Sequence, residues 1–166
     1  MRHKLYRLYC SASNTEGFTL IELLVVIIIG ILSAIALPSF LNQASRARQA
    51  EAKTYVGSAL RSQQAYYLEK SQFASTLTLL QVGIPAQTQY YEYSVNPSSA
   101  TATQFNAIAR QSGLLKSYGA AILSRNDALD AASCQTTDSI SAAPDIDLNI
   151  HNPNNPRCRG NAESMY

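Results

Sequence analysis

Glu22 is the side chain whose surroundings ask most for a chemical explanation. It is the one formal charge in residues 18–37, FTLIELLVVIIIGILSAIAL. A helix of that length spans about 30 Å, the thickness of a bilayer's hydrocarbon core. A carboxylate within such a run costs about 2–3 kcal/mol or more unless it is paired or neutralised, so it marks a function by default. A Gly17-Phe18 junction and a basic stretch stand just before it.

The other reactive residues are few and scattered. His151 sits in an Asn/Pro-rich stretch with no second ligand at zinc spacing, and it reads as solvated. Asp138, Asp145 and Asp147 form an oxygen-rich set but lack the twelve-residue loop pattern of a calcium site, and they read as surface acids. Cys134 and Cys158 are too far apart for a Cys-x-x-Cys redox motif. No Gly-x-x-x-x-Gly-Lys loop is present to cradle phosphates. The residues assemble no catalytic constellation, so the expectation is a non-enzyme without metal or cofactor.

Length and charge narrow the classes. The chain has 166 residues, enough for one membrane helix and one small globular domain. Arg2, Lys4 and Arg7 against Glu16 give residues 1–17 a net charge of +2, equal to that of the whole chain. The remainder therefore balances ten basic against ten acidic side chains. The basic leader predicts a cytoplasmic N-terminus by the positive-inside rule, an asymmetry that Arg46 and Arg48 beyond the span weaken without reversing. The balanced remainder carries no footprint for strong nucleic-acid binding. The leader differs from a secretory signal because no small-residue cleavage site follows the apolar run.

The elements that must position Glu22 and the cysteines can be read in order. Pro38 predicts a helix kink, with Gly30 as a second weak point. From residue 39 to about 68 the period stays helical, with Leu41, Ala44, Ala52, Tyr55, Val56, Ala59, Gln63, Tyr66 and Tyr67 on one face. Joined to the span, this gives one helix of some 50 residues, or about 75 Å. Residues 71–88 form a turn-rich link. Strands are predicted at 89–95 (QYYEYSV), 104–110, 118–124 and, more weakly, 130–136. Asn96-Pro97-Ser98-Ser99 and Asn126-Asp127 read as turns. Short connections imply an antiparallel meander, one face packed on the helix and the other facing solvent or a partner. The tyrosines read mostly as core and cross-strand packing. The last thirty residues are polar and proline-containing.

Gly17-Phe18-Thr19-Leu20-Ile21-Glu22 and the apolar run up to Pro38 resemble the prepilin signature of type IV pilins and pseudopilins. Residues 48–53, 62–70 and Phe73 are also similar to pilins of the cyanobacterial kind. The resemblance covers roughly residues 17–75 and implies an α+β pilin fold: a long N-terminal helix, membrane-spanning in its first half, packed on a small antiparallel sheet with a disulfide-bracketed C-terminal loop. The implied layout is a cleaved cytoplasmic leader (1–17), a transmembrane and filament-core helix (18–41), an amphipathic helix (42–70), an αβ-loop (71–88), an antiparallel sheet (89–136) and a C-terminal loop region (137–166).

The resemblance also implies chemistry. A dedicated peptidase cuts after Gly17 and methylates Phe18. The α-amino group released on Phe18, with an unperturbed pKa of about 7.7–8.0, could pair with Glu22 of its own helix or of a neighbouring subunit. The family uses the second pairing to set filament register, and Gly30 to Pro38 is the stretch that can loosen on packing. Cys10 is discarded with the leader. Cys134 and Cys158 then remain, facing an oxidising compartment, and a bridge between them is expected. Implied partners are other pilin subunits, the peptidase/methylase, the lipid bilayer before assembly, an inner-membrane assembly platform and its ATPase. The implied location is the inner membrane, single-pass with the N-terminus cytoplasmic, followed by a surface pilus. A pseudopilin of a type II secretion system is the alternative.

Overall fold

The computed structural model describes residues 19–126, 128–149, 152, 154 and 156–165. Cys10, Gly17, Phe18 and His151 lie outside them. The chain divides into two compact units, with the boundary between Phe40 and Leu41.

Helix α1 (Leu20–Lys70) is 51 residues long, and its helical backbone continues through Gly30 and Pro38. Its charges suit its dipole, with Glu22 in the first turn and Lys70 in the last. It ends where Ser71 turns left-handed at φ 53° and donates its N–H to the Tyr67 carbonyl at 2.8 Å. In the first unit the helix is apolar all round and wholly exposed: every large apolar side chain from residue 20 to 40 is at least 47% accessible. Such a helix belongs in lipid or in a larger core.

In the second unit the same helix becomes one-sided. Ala52, Val56, Ala59 and Gln63 are buried at i, i+4, i+7 and i+11. They face a five-stranded antiparallel sheet of order β1-β2-β3-β4-β7, built from β1 (Tyr91–Ser99), β2 (Ala102–Ala109), β3 (Tyr118–Arg125), β4 (Ala128–Thr136) and β7 (Ala162–Ser164). Ala52, Val56 and Ala59 are small and leave room for large rings from the sheet. Tyr91, Tyr93, Phe105 and Tyr118 fill that space as the main core. Tyr93 meets Tyr55 of the helix edge-on, with ring centroids 5.3 Å apart. A short helix α2 (Leu77–Leu80) lies in the link, and β5 (Ile146–Asp147) pairs with β6 (Arg157–Cys158) as a separate two-stranded ribbon.

Two expectations need correction. Asn96-Pro97-Ser98-Ser99 is not a turn: β1 runs through it to Ser99. Proline is tolerated there because β1 is an edge strand, and the register shifts between Pro97 and Ser99. The second correction concerns the sheet face away from the helix, which is covered rather than left for solvent. Ala121 and Cys134 on that face form a second small core with Ile146, against which Leu148, Cys158 and Ala162 pack. Strand β3 is consequently buried on both faces from Tyr118 to Ser124. Gly119 permits the close approach of the covering loop, since a Cβ there would lie 3.0 Å from Asn106 Oδ1 and 3.3 Å from Pro144 Cγ.

Candidate assembly site

Thr19 and Glu22 bond reciprocally at the start of α1. The Glu22 carboxylate accepts the Thr19 backbone N–H and the Thr19 hydroxyl, each at 2.8 Å, both through Oε2. The Glu22 N–H points back to Thr19 Oγ1 at 3.4 Å. This is a capping box, in which a Thr and a Glu three residues later satisfy backbone donors that the first helical turn leaves open. The carboxylate is thus held at the mouth of the apolar helix, with Oε1 carrying no bond among the described residues. The Thr-x-x-Glu spacing was legible, but the sequence reading assigned Glu22 only an electrostatic role and missed Thr19.

Around Glu22 the surface is apolar, and α1 is long and apolar enough to cross a membrane. Gly30 and Pro38 lie on this helix, and a Cβ at Gly30 would meet nothing within 4 Å. Gly17 and Phe18 precede the described residues, so the junction they form is placed only by the sequence, directly before Thr19.

The second unit presents no comparable reactive cluster. Among the described residues, no three His, Cys, Asp or Glu side chains gather to hold a metal. Asp147 is ion-paired with Arg159 at 3.2 Å, and the Asp145 carbonyl accepts the Arg159 N–H at 2.9 Å. These two acids therefore fasten the C-terminal ribbon. Cys134 and Cys158 are joined by a disulfide, as the resemblance implied. The bond ties β4 to β6 and thereby holds the loop that covers the outer sheet face. At the sheet edge, Glu163 of β7 accepts from Lys116 Nζ at 3.0 Å and from Gln135 Nε2 at 2.8 Å. Those two donors hold its carboxyl below the usual range.

Known proteins match both parts of the chain. The family described as type IV pilin-like G and H matches residues 49–158. The prokaryotic N-terminal methylation motif matches residues 12–37, enclosing Gly17, Phe18 and Glu22. The type IV major pilin protein PilA of Myxococcus xanthus is 37% identical over 96 residues, which are 57% of this chain and 43% of that protein. The chain thus spans less than half the length of that relative. The type IV wide pilus major component PilA4 of Thermus thermophilus is 34% identical over 102 residues, 60% of this chain and 76% of the relative. The fimbrial protein EcpC of Eikenella corrodens is 31% identical over 102 residues, 61% and 67% of the two chains. These relatives favour a pilin over a secretion pseudopilin. With the long helix, the antiparallel sheet and the C-terminal disulfide, they show that the chain belongs to the type IV pilin family.

Proposed function

We propose that the chain is a pilin precursor, cut after Gly17, methylated on Phe18 and polymerised through its N-terminal helix into a type IV pilus. The observation that carries this reading is the wholly exposed apolar surface of residues 20–41, on a chain whose second unit closes a core of its own. Such a surface has two successive uses. In the precursor it lies in lipid, with the basic leader on the cytoplasmic side. In the fibre, side chains of neighbouring helices replace the lipid. Glu22 then takes the Phe18 amine of a neighbouring subunit, and the free Oε1 is available for it. Gly30 and Pro38 are the points at which the helix yields during packing.

The partners follow from the same reading. They are a peptidase that also methylates, other copies of the chain, an inner-membrane platform and a cytoplasmic ATPase that supplies the energy. The protein acts as a structural subunit, and the Cys134–Cys158 bond supports exposure of the second unit to an oxidising compartment. The test is Glu22→Ala. It should insert and be cleaved normally while the yield of sheared fibre falls sharply. A normal fibre yield would contradict the role given to Glu22.

A further inference from the structure

The buried face of α1 is left open at its N-terminal margin in the second unit. The face that the sheet covers at Ala52, Val56, Ala59 and Gln63 continues as Asn42, Ser45, Arg46 and Gln49. There the Tyr118 hydroxyl reaches Gln49 at 2.7 Å, and Gly113 and Leu114 of the β2–β3 loop flank an open groove of about 430 Å³. Among the described residues, no carboxylate lines it.

Arg46 is exposed and makes no ion pair among the described residues. Its neighbours on the helix are engaged: the Arg48 guanidinium lies 4.4 Å from the centre of the Tyr90 ring, and Lys53 Nζ lies 5.4 Å from that of Tyr118. Leu114 is 57% exposed although the next residue, Leu115, is fully buried. The loop tip is held in place, because Gly113 takes φ +84° and donates its N–H to the Ser139 carbonyl at 2.6 Å. A free cation and a fixed, outward apolar side chain thus share one groove.

Their level along the helix identifies what they meet. Asn42 follows Leu41, the last residue of the exposed apolar run. Residues 20–41 rise about 33 Å, so with ordinary tilt they fill the hydrocarbon layer. Asn42, Ser45 and Arg46 then lie within about 8 Å of its edge, the depth of the headgroup zone.

We propose that Arg46 and Leu114 form a phospholipid-contacting rim. In the membrane-anchored subunit, Arg46 holds a lipid phosphate of the outer leaflet of the inner membrane, and Leu114 enters the boundary between headgroups and acyl chains. This rests on the proposed reading of residues 18–41 as a membrane span. The rim gives the second unit a contact with the membrane in addition to its covalent link, and it fixes the rotation at which the subunit is presented for assembly.

The chain contains no tryptophan, so single-tryptophan variants report cleanly. The full chain is reconstituted in vesicles of zwitterionic and anionic phospholipids, carrying acyl chains brominated either near the headgroup or near the bilayer centre. Leu114→Trp tests the rim, Val26→Trp tests the span, and Ala128→Trp, at the start of β4 and paired with Arg125 at the far end of β3, is the control. The expected result is blue-shifted emission from Leu114→Trp with quenching by the shallow bromines, quenching of Val26→Trp by the deep ones, and neither for Ala128→Trp. Adding Arg46→Glu to Leu114→Trp should weaken its membrane contact about fivefold or more. If Leu114→Trp behaves like Ala128→Trp while Val26→Trp is quenched, the rim proposal fails and the span stands. If Val26→Trp is also unquenched, both fall. A blue shift insensitive to brominated lipid would mean that the groove seats a second copy of the chain, and would overturn the lipid assignment.

Discussion

The Gln63 side chain holds the backbone of Ala74 from both sides. Gln63 Nε2 donates to the Ala74 carbonyl at 2.9 Å, and the Ala74 N–H donates to Gln63 Oε1 at 3.0 Å. Gln63 is 1% exposed and Ala74 is fully buried. One side-chain amide thus does for the start of the link what a neighbouring strand does in a sheet, and it docks residues 71–76 onto α1. Phe73, the residue before it, packs on Tyr67 with ring centroids 4.6 Å apart. Gln63→Leu fills the same space but leaves a buried N–H and C=O without partners, so stability should fall by about 2–4 kcal/mol. Urea unfolding of the detergent-solubilised chain checks this, and a loss below the resolution of the measurement would mean that water replaces the amide.

The Cys134–Cys158 bond closes a loop with a sequence separation of 24 residues. In the chain-entropy model this stabilises by roughly 3 kcal/mol. A Cys134→Ala, Cys158→Ala double variant should lose about that much and also uncover the small core around Ala121 and Ile146. A lower unfolding midpoint with increased binding of a hydrophobic dye is expected. The single bond predicts that reductant lowers the midpoint of the native chain and leaves that of the double variant unchanged.

Alkaline pH should unfold the second unit through its tyrosines. Burial pushes the phenols of Tyr91 and Tyr93 well above their ordinary value, and that of Tyr118 up to about 12. A raised folded pKa gives stability that is complete below the unfolded value of about 10 and is lost as pH rises beyond it. Stability should therefore be flat up to about pH 10 and fall steeply above it. Tyr118→Phe removes one of these groups and the bond from its hydroxyl to Gln49 Oε1 at 2.7 Å. It should cost about 1 kcal/mol at neutral pH and flatten the alkaline fall. Tyrosinate absorbance followed alongside circular dichroism measures both.

Thr19 offers a way to separate two jobs of Glu22. If the carboxylate serves mainly as a cap, Thr19→Val should damage assembly as much as Glu22→Ala does. If it serves mainly to bind a neighbouring amine, Thr19→Val should cost only the capping energy, about 1 kcal/mol, and leave most of the fibre yield. The account predicts the milder effect for Thr19→Val, read as sheared-fibre yield from cells expressing each variant at equal precursor level.

What was legible depended on the range of the signal. The apolar run with its single acid and the half-buried period after it are local patterns, and they place α1 correctly. The disulfide was legible because the resemblance supplied its setting. The cover on the outer sheet face was not: Pro144, Ile146 and Leu148 alternate with Asp145, Asp147 and Asn149 at strand period, but the run is short, opens on a proline and lies in a polar stretch. Strands β6 and β7 have only two or three residues each, too few for alternation to register. Pro97 read as a turn because its local chemistry is that of a turn, and only its edge position in the sheet permits it in a strand. Gln63 was placed on the correct helix face, but its partner is a backbone eleven residues away, which no side-chain pattern announces.

The central claim is that this chain is processed at Gly17-Phe18 and carries a bridged C-terminal region. The most direct measurement is the intact mass of the protein extracted from the membranes of its native host, without reductant and after thiol alkylation. The account predicts a mass lacking residues 1–17, increased by one methyl group, with Cys134 and Cys158 unalkylated. An uncut and unmethylated mass would contradict it and leave a membrane-anchored domain with no route into a fibre.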